Sequence, residues 1–348
     1  MRCTIKDVAD ALGMSRNTVS KVLNGKSGVS PKTEKLVLDK ARELHYYPND
    51  TPSTSEQFQA PASQEEKGFI LFLTKTSVNY SDFWINVMKG IESVLKKYNY
   101  DLVLGIMDNQ DIETLHFPSI IESKEIRGII LVELCDIKIC DAVLAYHLPT
   151  VTLDMPREYE RLLGKMDIIT MENKINIKQI VNLLIQKGCS KFAFAGDLTS
   201  NNVGHGFQER YEALCETLAE NNLSLLQESC FLCETDQLFL NSNYMINKIR
   251  NLSVIPDVYI CGNDWTAIQL SNSLQFLGYK IPDDISIVGF DNIYASKKMV
   301  PSLTTINTHK EYLGIASALC ILNRIQNPDI PYTYSQYMTE LIIRESTI

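Results

Sequence analysis

From Gly68 onward the chain alternates two kinds of segment, and this alternation limits its possible folds more than any other feature. Short β-rich runs, FILFLT (69–74), DLVLGIM (101–107), RGIILVE (127–133) and PTVTLD (149–154), are separated by amphipathic helix-length segments at 83–98, 112–123 and 137–147. A connection long enough to hold a helix carries the chain back to the starting end of the sheet, so successive strands run parallel. The series then restarts. DIITM (167–171), KFAFAG (191–196), a weak run at SCFLC (229–233), DVYICG (257–262) and ISIVGF (285–290) alternate with helices near 174–187, 206–221, 236–250 and 264–277. A run at 303–306, a helix near 309–326 and a run at 335–343 close the chain. Two series predict two α/β lobes, each a parallel sheet with helices on both faces.

The first 49 residues are different. Thr4–Asn24, TIKDVADALGMSRNTVSKVLN, predicts two short helices joined by a tight turn. Thr4 and Asp7 form a capping-box pattern, Gly13 supplies the left-handed turn residue, and Ser15 caps the second helix. Ala9, Gly13 and Val19 have helix-turn-helix spacing: Ala9 lets the helices approach and Val19 packs beneath them. Arg16, Asn17, Thr18, Ser20, Lys21 and Asn24 are left outward, side chains that bond base edges and phosphates. Ser30-Pro31 starts a third helix with Leu36, Val37, Ala41 and Leu44 as its inner stripe. Charge follows the same division. The chain carries −9 overall, while residues 1–49 hold nine Lys/Arg against five Asp/Glu, leaving +4 on the head and −13 on the rest. A basic head on an acidic body lets one part meet phosphate while the other is repelled from it.

TIKDVADALGMSRNTVSKVLNGKSGVSPKTEKLVLDKARELHYYPN resembles the DNA-binding headpiece of the lactose-repressor (LacI/GalR) family, and IPDDISIVGFDNI with PSLTTI (281–306) resembles the later body of that family. The resemblance implies an all-α helix-turn-helix headpiece followed by a two-lobed α/β periplasmic-binding-protein-like (type I) domain. It places Arg16 and Asn17 on operator bases. Thr4, Ser15, Thr18, Ser20, Asn24, Ser30, Thr33, Tyr46 and Asn49 match phosphate and base-contact positions. Lys21 replaces the usual arginine, keeping the charge but losing the fork that grips guanine. The implied domains are a headpiece at 1–49, a linker at 50–67 and a body at 68–348. Lobe 1 covers about 68–166 and 293–326; lobe 2 covers about 167–292 and 327–348. Linker DTPSTSEQFQAPASQEEK departs from the family pattern, in which a hinge helix wedges a leucine into the minor groove. Either Phe58 supplies the wedge or the segment is a tether, and the two prolines and the acidic residues favour the tether.

The resemblance also implies a small-molecule site between the lobes, at the carboxyl ends of the strands. Arg210 and Asp291 match family effector contacts. Asn263 and Asp264 follow a neighbouring strand, with Asp264 read as the cap of the next helix. Tyr80, Phe83 and Trp84 are candidates for stacking on sugar faces. His205 is read as a rim residue. The expected protein is a cytoplasmic regulator, a repressor binding a palindromic operator as a homodimer under control of a sugar or related effector. A ligand sensor with a degenerate headpiece is the alternative. Nine cysteines have no framework spacing, Cys230-x-x-Cys233 lacks partners for a zinc site, and no nucleophile–base constellation or P-loop occurs, so neither metal, cofactor nor catalysis is expected. No run approaches the roughly 20 apolar residues that span a bilayer.

Overall fold

A computed structural model describes residues 5–23, 29–30, 33, 35–37, 40, 68–75, 82–199 and 204–348. It divides into two compact units, Met1–Gln64 and Glu65–Ile348.

In the first unit α1 (Ile5–Leu12) and α2 (Arg16–Leu23) are joined through Gly13 at φ 61°. Val8, Ala9, Val19, Val22 and Val37 form its core, with Ile5, Leu12, Met14, Leu23 and Val29 packed against them. Thr33, Lys35–Val37 and Lys40 are helical. Leu36 is not part of the inner stripe predicted for it, being 50% exposed. Adjacent helical positions point about 100° apart, and Val37 takes the inward one.

The second unit contains two parallel sheets. One has six strands in the order β10 (Tyr334–Tyr337), β5 (Asp167–Met171), β4 (Thr150–Thr152), β3 (Ile126–Val132), β1 (Gly68–Lys75), β2 (Tyr100–Met107). The other has β6 (Phe192–Ala195), β7 (Val258–Cys261) and β8 (Ser286–Val288). A small antiparallel pair, β9 (Thr305–Asn307) with β11 (Glu340–Ile342), adjoins the second sheet through bridges Val288–Thr304 and Asp291–Asn307.

The unbroken apolar runs reflect burial on both faces. In β1, Ile70 and Phe72 face one core while Leu71 and Leu73 face another. In β6, Phe192 and Phe194 enter one core of the second lobe and Ala193 and Ala195 the other. In the first lobe α3 (Asp82–Leu95) and α11 (Lys310–Gln326) cover one face, while α4 (Asn109–Thr114) and α5 (Ile137–Leu144) lie on the other side. Helices α3 and α11 cross closely: a methyl on Gly90 would strike the Glu311 carbonyl, and one on Gly314 the Val87 carbonyl. In the second lobe α6 (Ile175–Gln186) and α7 (His205–Glu220) cover one face. Helices α8 (Asp236–Leu240), α9 (Ser242–Arg250) and α10 (Asp264–Phe276) cover the other.

Several boundaries differ from the sequence reading. The helix predicted over 112–123 is interrupted: Leu115 turns left-handed at φ 53°, Pro118 cannot continue a helix, and a 3-10 turn follows at Ser119–Glu122. The 236–250 segment splits at Asn241, whose side chain caps α9 through the Tyr244 N–H at 3.1 Å. The weak SCFLC run contributes only the Ala195–Phe231 bridge.

The lobe boundaries need a larger correction. Strand β5, assigned to lobe 2, lies between β4 and β10 in the first sheet, and β10, also assigned to lobe 2, is the edge of that sheet. The run at 303–306, assigned to lobe 1, is β9 beside the second sheet. The ties are long-range ones. Asp167 accepts two hydrogen bonds from Arg324 of α11, at 2.9 and 3.1 Å, and one from the Thr333 N–H at 2.8 Å. The chain therefore crosses between sheets at 172–174, 308–309 and 338–339. Two crossings are bonded together: Asn176 donates to the Thr339 hydroxyl at 2.8 Å, and that hydroxyl donates to the Glu172 carbonyl at 3.1 Å.

Candidate functional site

In the first unit the Ser15 hydroxyl accepts the Thr18 N–H at 3.1 Å and lies 2.9 Å from the Thr18 hydroxyl. The same arrangement recurs at Ser30 and Thr33, at 3.2 and 2.8 Å. Ser15 and Ser30 therefore accept the backbone N–H that an N-cap accepts, each also bonded to a threonine hydroxyl. Arg16, Asn17 and Lys21 are exposed on α2, opposite Val19 and Val22, while Thr18 and Ser20 are half-buried. Thr4, Asn24, Tyr46, Asn49 and the whole 50–67 linker lie outside the described residues.

In the second unit a cavity of about 550 Å³ opens where strand ends of both sheets meet. Phe83 and Trp84 enter from α3, Glu133 follows β3, Leu153 and Asp154 follow β4, and Thr170, Met171 and Asn173 come from β5 and its crossing. The second sheet adds Phe207 and Arg210 from α7, Asn263 and Trp265 after β7, and Asp291 and Ile293 after β8. Parallel strands point their carboxyl ends at one another here, so the side chains just past each strand converge.

Arg210 is the buried centre of this wall. Its Nε donates to Asn173 Oδ1 at 3.0 Å, a terminal nitrogen donates to the Gly262 carbonyl, and the other faces Met171 Sδ at 3.7 Å. The guanidinium lies over the Phe290 ring, 3.5 Å from its centroid. Burial lowers its pKa, and Asp291, then Asp154, oppose that shift. Asp291 sits at φ 113° and Asn292 at φ 52°, two successive left-handed residues at the end of a strand. Such backbone persists where its surroundings overdetermine it. Here Lys310, opening α11, donates to the Asp291 carbonyl and, at 3.2 Å, to that of Asn292. Burial pushes the Asp291 carboxyl up to about 6, against the pull of Arg210 and Lys310. Asp154 is raised by burial too, partly offset by a hydrogen bond with Cys135.

Sequence reasoning reversed two neighbours. Asn263 caps α10, accepting the Thr266 N–H at 2.8 Å. Asp264, read as the cap, is fully buried and accepts from the Ile293 N–H at 2.9 Å and the Thr305 hydroxyl at 2.5 Å. Burial and then the charge of Asp291 raise it to about 7. Asn263, Phe83, Arg210 and Asp291 all line the cavity, whereas Tyr80 lies outside the described residues. Phe83 is nevertheless mostly a core residue, 6% exposed, and Trp84 packs edge-on to it at 4.6 Å. His205 is not among the lining residues; its backbone N–H donates to the Met155 carbonyl at 2.9 Å. Several lining residues escaped the sequence reading, among them Glu133, Asp154, Asn173 and Trp265. Asp154 could have been found, since it ends PTVTLD as Asp291 follows ISIVGF. Trp265 and Asn173 had no local signal.

Two family models match the chain: "Bacterial regulatory proteins, lacI family" over residues 4–49, and a periplasmic binding protein-like domain over 181–347. Among similar proteins is the HTH-type transcriptional regulator RegA of Clostridium saccharobutylicum, 27% identical over 351 residues, covering 100% of both chains. Similar solved structures include a transcriptional regulator CelR–cellobiose complex, with TM-score 0.69 and 20% identity, covering 99% of this chain and 100% of that one. The lac repressor dimer bound to operator and the anti-inducer ONPF matches with TM-score 0.68 and 20% identity over 100% of both chains. A helix-turn-helix unit together with a two-lobed periplasmic-binding-protein-like body defines a class of DNA-binding transcription regulators. Within that class the chain belongs to the lacI family of bacterial regulatory proteins. Among the described residues no helix is long and apolar enough to cross a membrane.

Proposed function

We propose that this regulator is a cytoplasmic repressor that binds a palindromic operator as a homodimer and is controlled by a sugar or related small molecule held in the cavity. The observation that carries the reading is one chain holding both an exposed Arg16–Asn17–Lys21 face and a cavity of about 550 Å³ lined by apolar and charged side chains, a size typical of small-ligand sites. Arg16, Asn17 and Lys21 would read bases, and the matching positions Thr4, Ser15, Thr18, Ser20, Asn24, Ser30, Thr33, Tyr46 and Asn49 would meet phosphates or bases. Residues 50–67 would be a tether. One headpiece of this size makes few base contacts, so two half-sites are needed for useful specificity. Phe83, Arg210, Asn263 and Asp291 would contact the effector, together with Tyr80.

Supporting observations are the similarity to RegA along the whole chain and the convergence of strand ends from both sheets on one cavity. The test is a gel-shift titration with DNA from the promoter region of its own gene, repeated in a panel of sugars and nucleosides. Sequence-selective binding that at least one ligand changes is the expected result. Binding that is blind to sequence would overturn the operator reading. Retarded DNA that no ligand affects would instead overturn the effector reading.

A further inference from the structure

A second cavity, of about 310 Å³, shares no lining residue with the first and is near the lower limit for small-molecule sites. It forms where two of the three crossings run together, brought side by side by the β9–β11 pair in which Asn307 faces Glu340. Thr308 and His309 come from one crossing, Tyr337 and Met338 from the end of β10 and the next crossing, and Tyr312 and Leu313 from the first turn of α11. Thr308 is 1% exposed, and its hydroxyl has no hydrogen-bond partner. A buried hydroxyl left unpaired costs free energy that a bond to a ligand recovers. The Tyr312 and Tyr337 rings meet edge-on, with centroids 5.3 Å apart and planes at 74°. That corner lets a flat ring stack on one tyrosine while meeting the other edge-on, and the Met338 thioether and Leu313 complete an apolar lining. Tyr312 and Met338 are both exposed, so the corner is open to solvent. No Lys, Arg, Asp or Glu is among the described lining residues. The charged neighbours are turned elsewhere: Lys310 donates to the Asp291 and Asn292 carbonyls, and Glu340 accepts from Asn307 at 3.4 Å. A charged ligand would therefore be desolvated there with no lining counter-charge.

We infer that this cavity is a second small-molecule site, which takes a small uncharged aromatic compound and pairs a polar atom of that compound with the Thr308 hydroxyl. The tyrosine corner supplies the affinity for a ring, and Thr308, able to donate or accept, fixes its orientation. The site stands on the joint between the lobes and is independent of the effector reading of the larger cavity.

The test is calorimetric titration of the full chain with five probes at millimolar concentrations: indole, phenol, cyclohexanol, benzoate and benzylamine. Indole or phenol is expected to bind, with cyclohexanol, benzoate and benzylamine weaker by about tenfold or more, a margin of one lost favourable contact. If neither indole nor phenol binds, the inference is overturned. It is overturned equally if cyclohexanol or a charged ring binds as tightly as the neutral rings. Hydrogen exchange with the bound probe should slow at 308–313 and 337–339. Slowing confined to the neighbourhood of Phe83, Arg210 and Asp291 would place the probe in the larger cavity and refute the second site. Thr308→Val keeps the side-chain shape and removes the hydroxyl. It should leave the melting temperature of the unliganded protein unchanged or raise it, while weakening the bound probe about tenfold. A lower melting temperature would show that the hydroxyl is satisfied within the fold and would count against the inference, as would unchanged affinity. Tyr312→Leu removes one wall of the corner at an exposed position. It should also weaken the probe, and full retention of binding in that variant would refute the role given to the tyrosine pair.

Discussion

At the scale of single residues, Asp264 and Asp291 carry the clearest consequence. Both carboxyls are raised by burial, to about 7 and about 6, against about 4 in an unfolded chain. Below that unfolded value both states are protonated and the groups contribute nothing. As pH rises from about 4 through 6 and 7, the unfolded chain gives up protons that the folded chain still holds, so these groups progressively destabilise the fold. Their combined effect is on the order of a few kcal/mol and is complete above neutrality. Asp264→Asn removes the larger contribution. Thermal melts between pH 5 and 7.5 should show the variant gaining on the wild type as pH rises, from an initial deficit caused by lost hydrogen bonding to Ile293 and Thr305. A constant difference across that range would mean Asp264 is charged throughout. Ser15 is a simpler case. Its hydroxyl caps α2, so Ser15→Ala should lower stability of the first unit by about 1 kcal/mol. Chemical denaturation of residues 1–64 in the intact chain, followed by hydrogen exchange, would measure it.

At the scale of elements, the crossing of α3 and α11 dominates the first lobe. Gly90 and Gly314 let backbone meet backbone, each filling a space that a methyl would take from the opposite carbonyl. Gly314→Ala should cost about 1–3 kcal/mol, the usual range for forcing an extra group into a packed site. Gly90→Ala should cost a similar amount, and the double variant should fall short of the sum, because one separation of the helices relieves both clashes. Urea melts would check both statements. Additive losses would show that the two contacts yield independently. Helix α11 also begins with Lys310, which holds the Asp291 and Asn292 carbonyls. The same helix thus joins the first-lobe core to the strained corner of the cavity.

At the scale of the molecule, three crossings link the two lobes of the body, and the cavity draws side chains from both. If effector and operator bind one molecule, their coupling is reciprocal. The factor by which a ligand changes operator affinity in gel shifts should equal the factor by which operator DNA changes ligand affinity in calorimetry. Unequal factors would mean that one of the two measurements reports a different species. The Arg324–Asp167 pair is the counterpart on the far side of the first lobe. Both side chains are almost fully buried, and the Asp167 carboxylate holds Arg324 above its usual pKa. Arg324→Ala leaves that carboxylate buried and unpaired, a change that typically costs 3–5 kcal/mol. The expected readout is a large drop in melting temperature with loosening of β10, the edge strand that Thr333 leads into.

The local pattern of residues determined a good deal. Period-2 alternation of cores, as in Ile70, Leu71, Phe72 and Leu73, follows from strands buried on both faces, and such runs are visible in the chain itself. The helix-turn-helix was equally legible, because Gly13, Ser15 and Val19 act through bonds and contacts within a few residues. Arg210, Asn263 and Asp291 were identifiable as site candidates because each lies near a recognisable strand end or matched a family position. What only the tertiary structure decided was everything set by distant neighbours. Strand β5 belongs to the first sheet because Asp167 meets Arg324 and Thr333, more than 150 residues away. Trp265 and Asn173 join the cavity because strand ends of two sheets converge there, and Asp264 became a buried anchor when Ile293 and Thr305 folded onto it. A sequence records its local preferences directly. Which strand lies beside which, and which polar atom is left without a partner, depends on contacts that do not exist until the chain has folded.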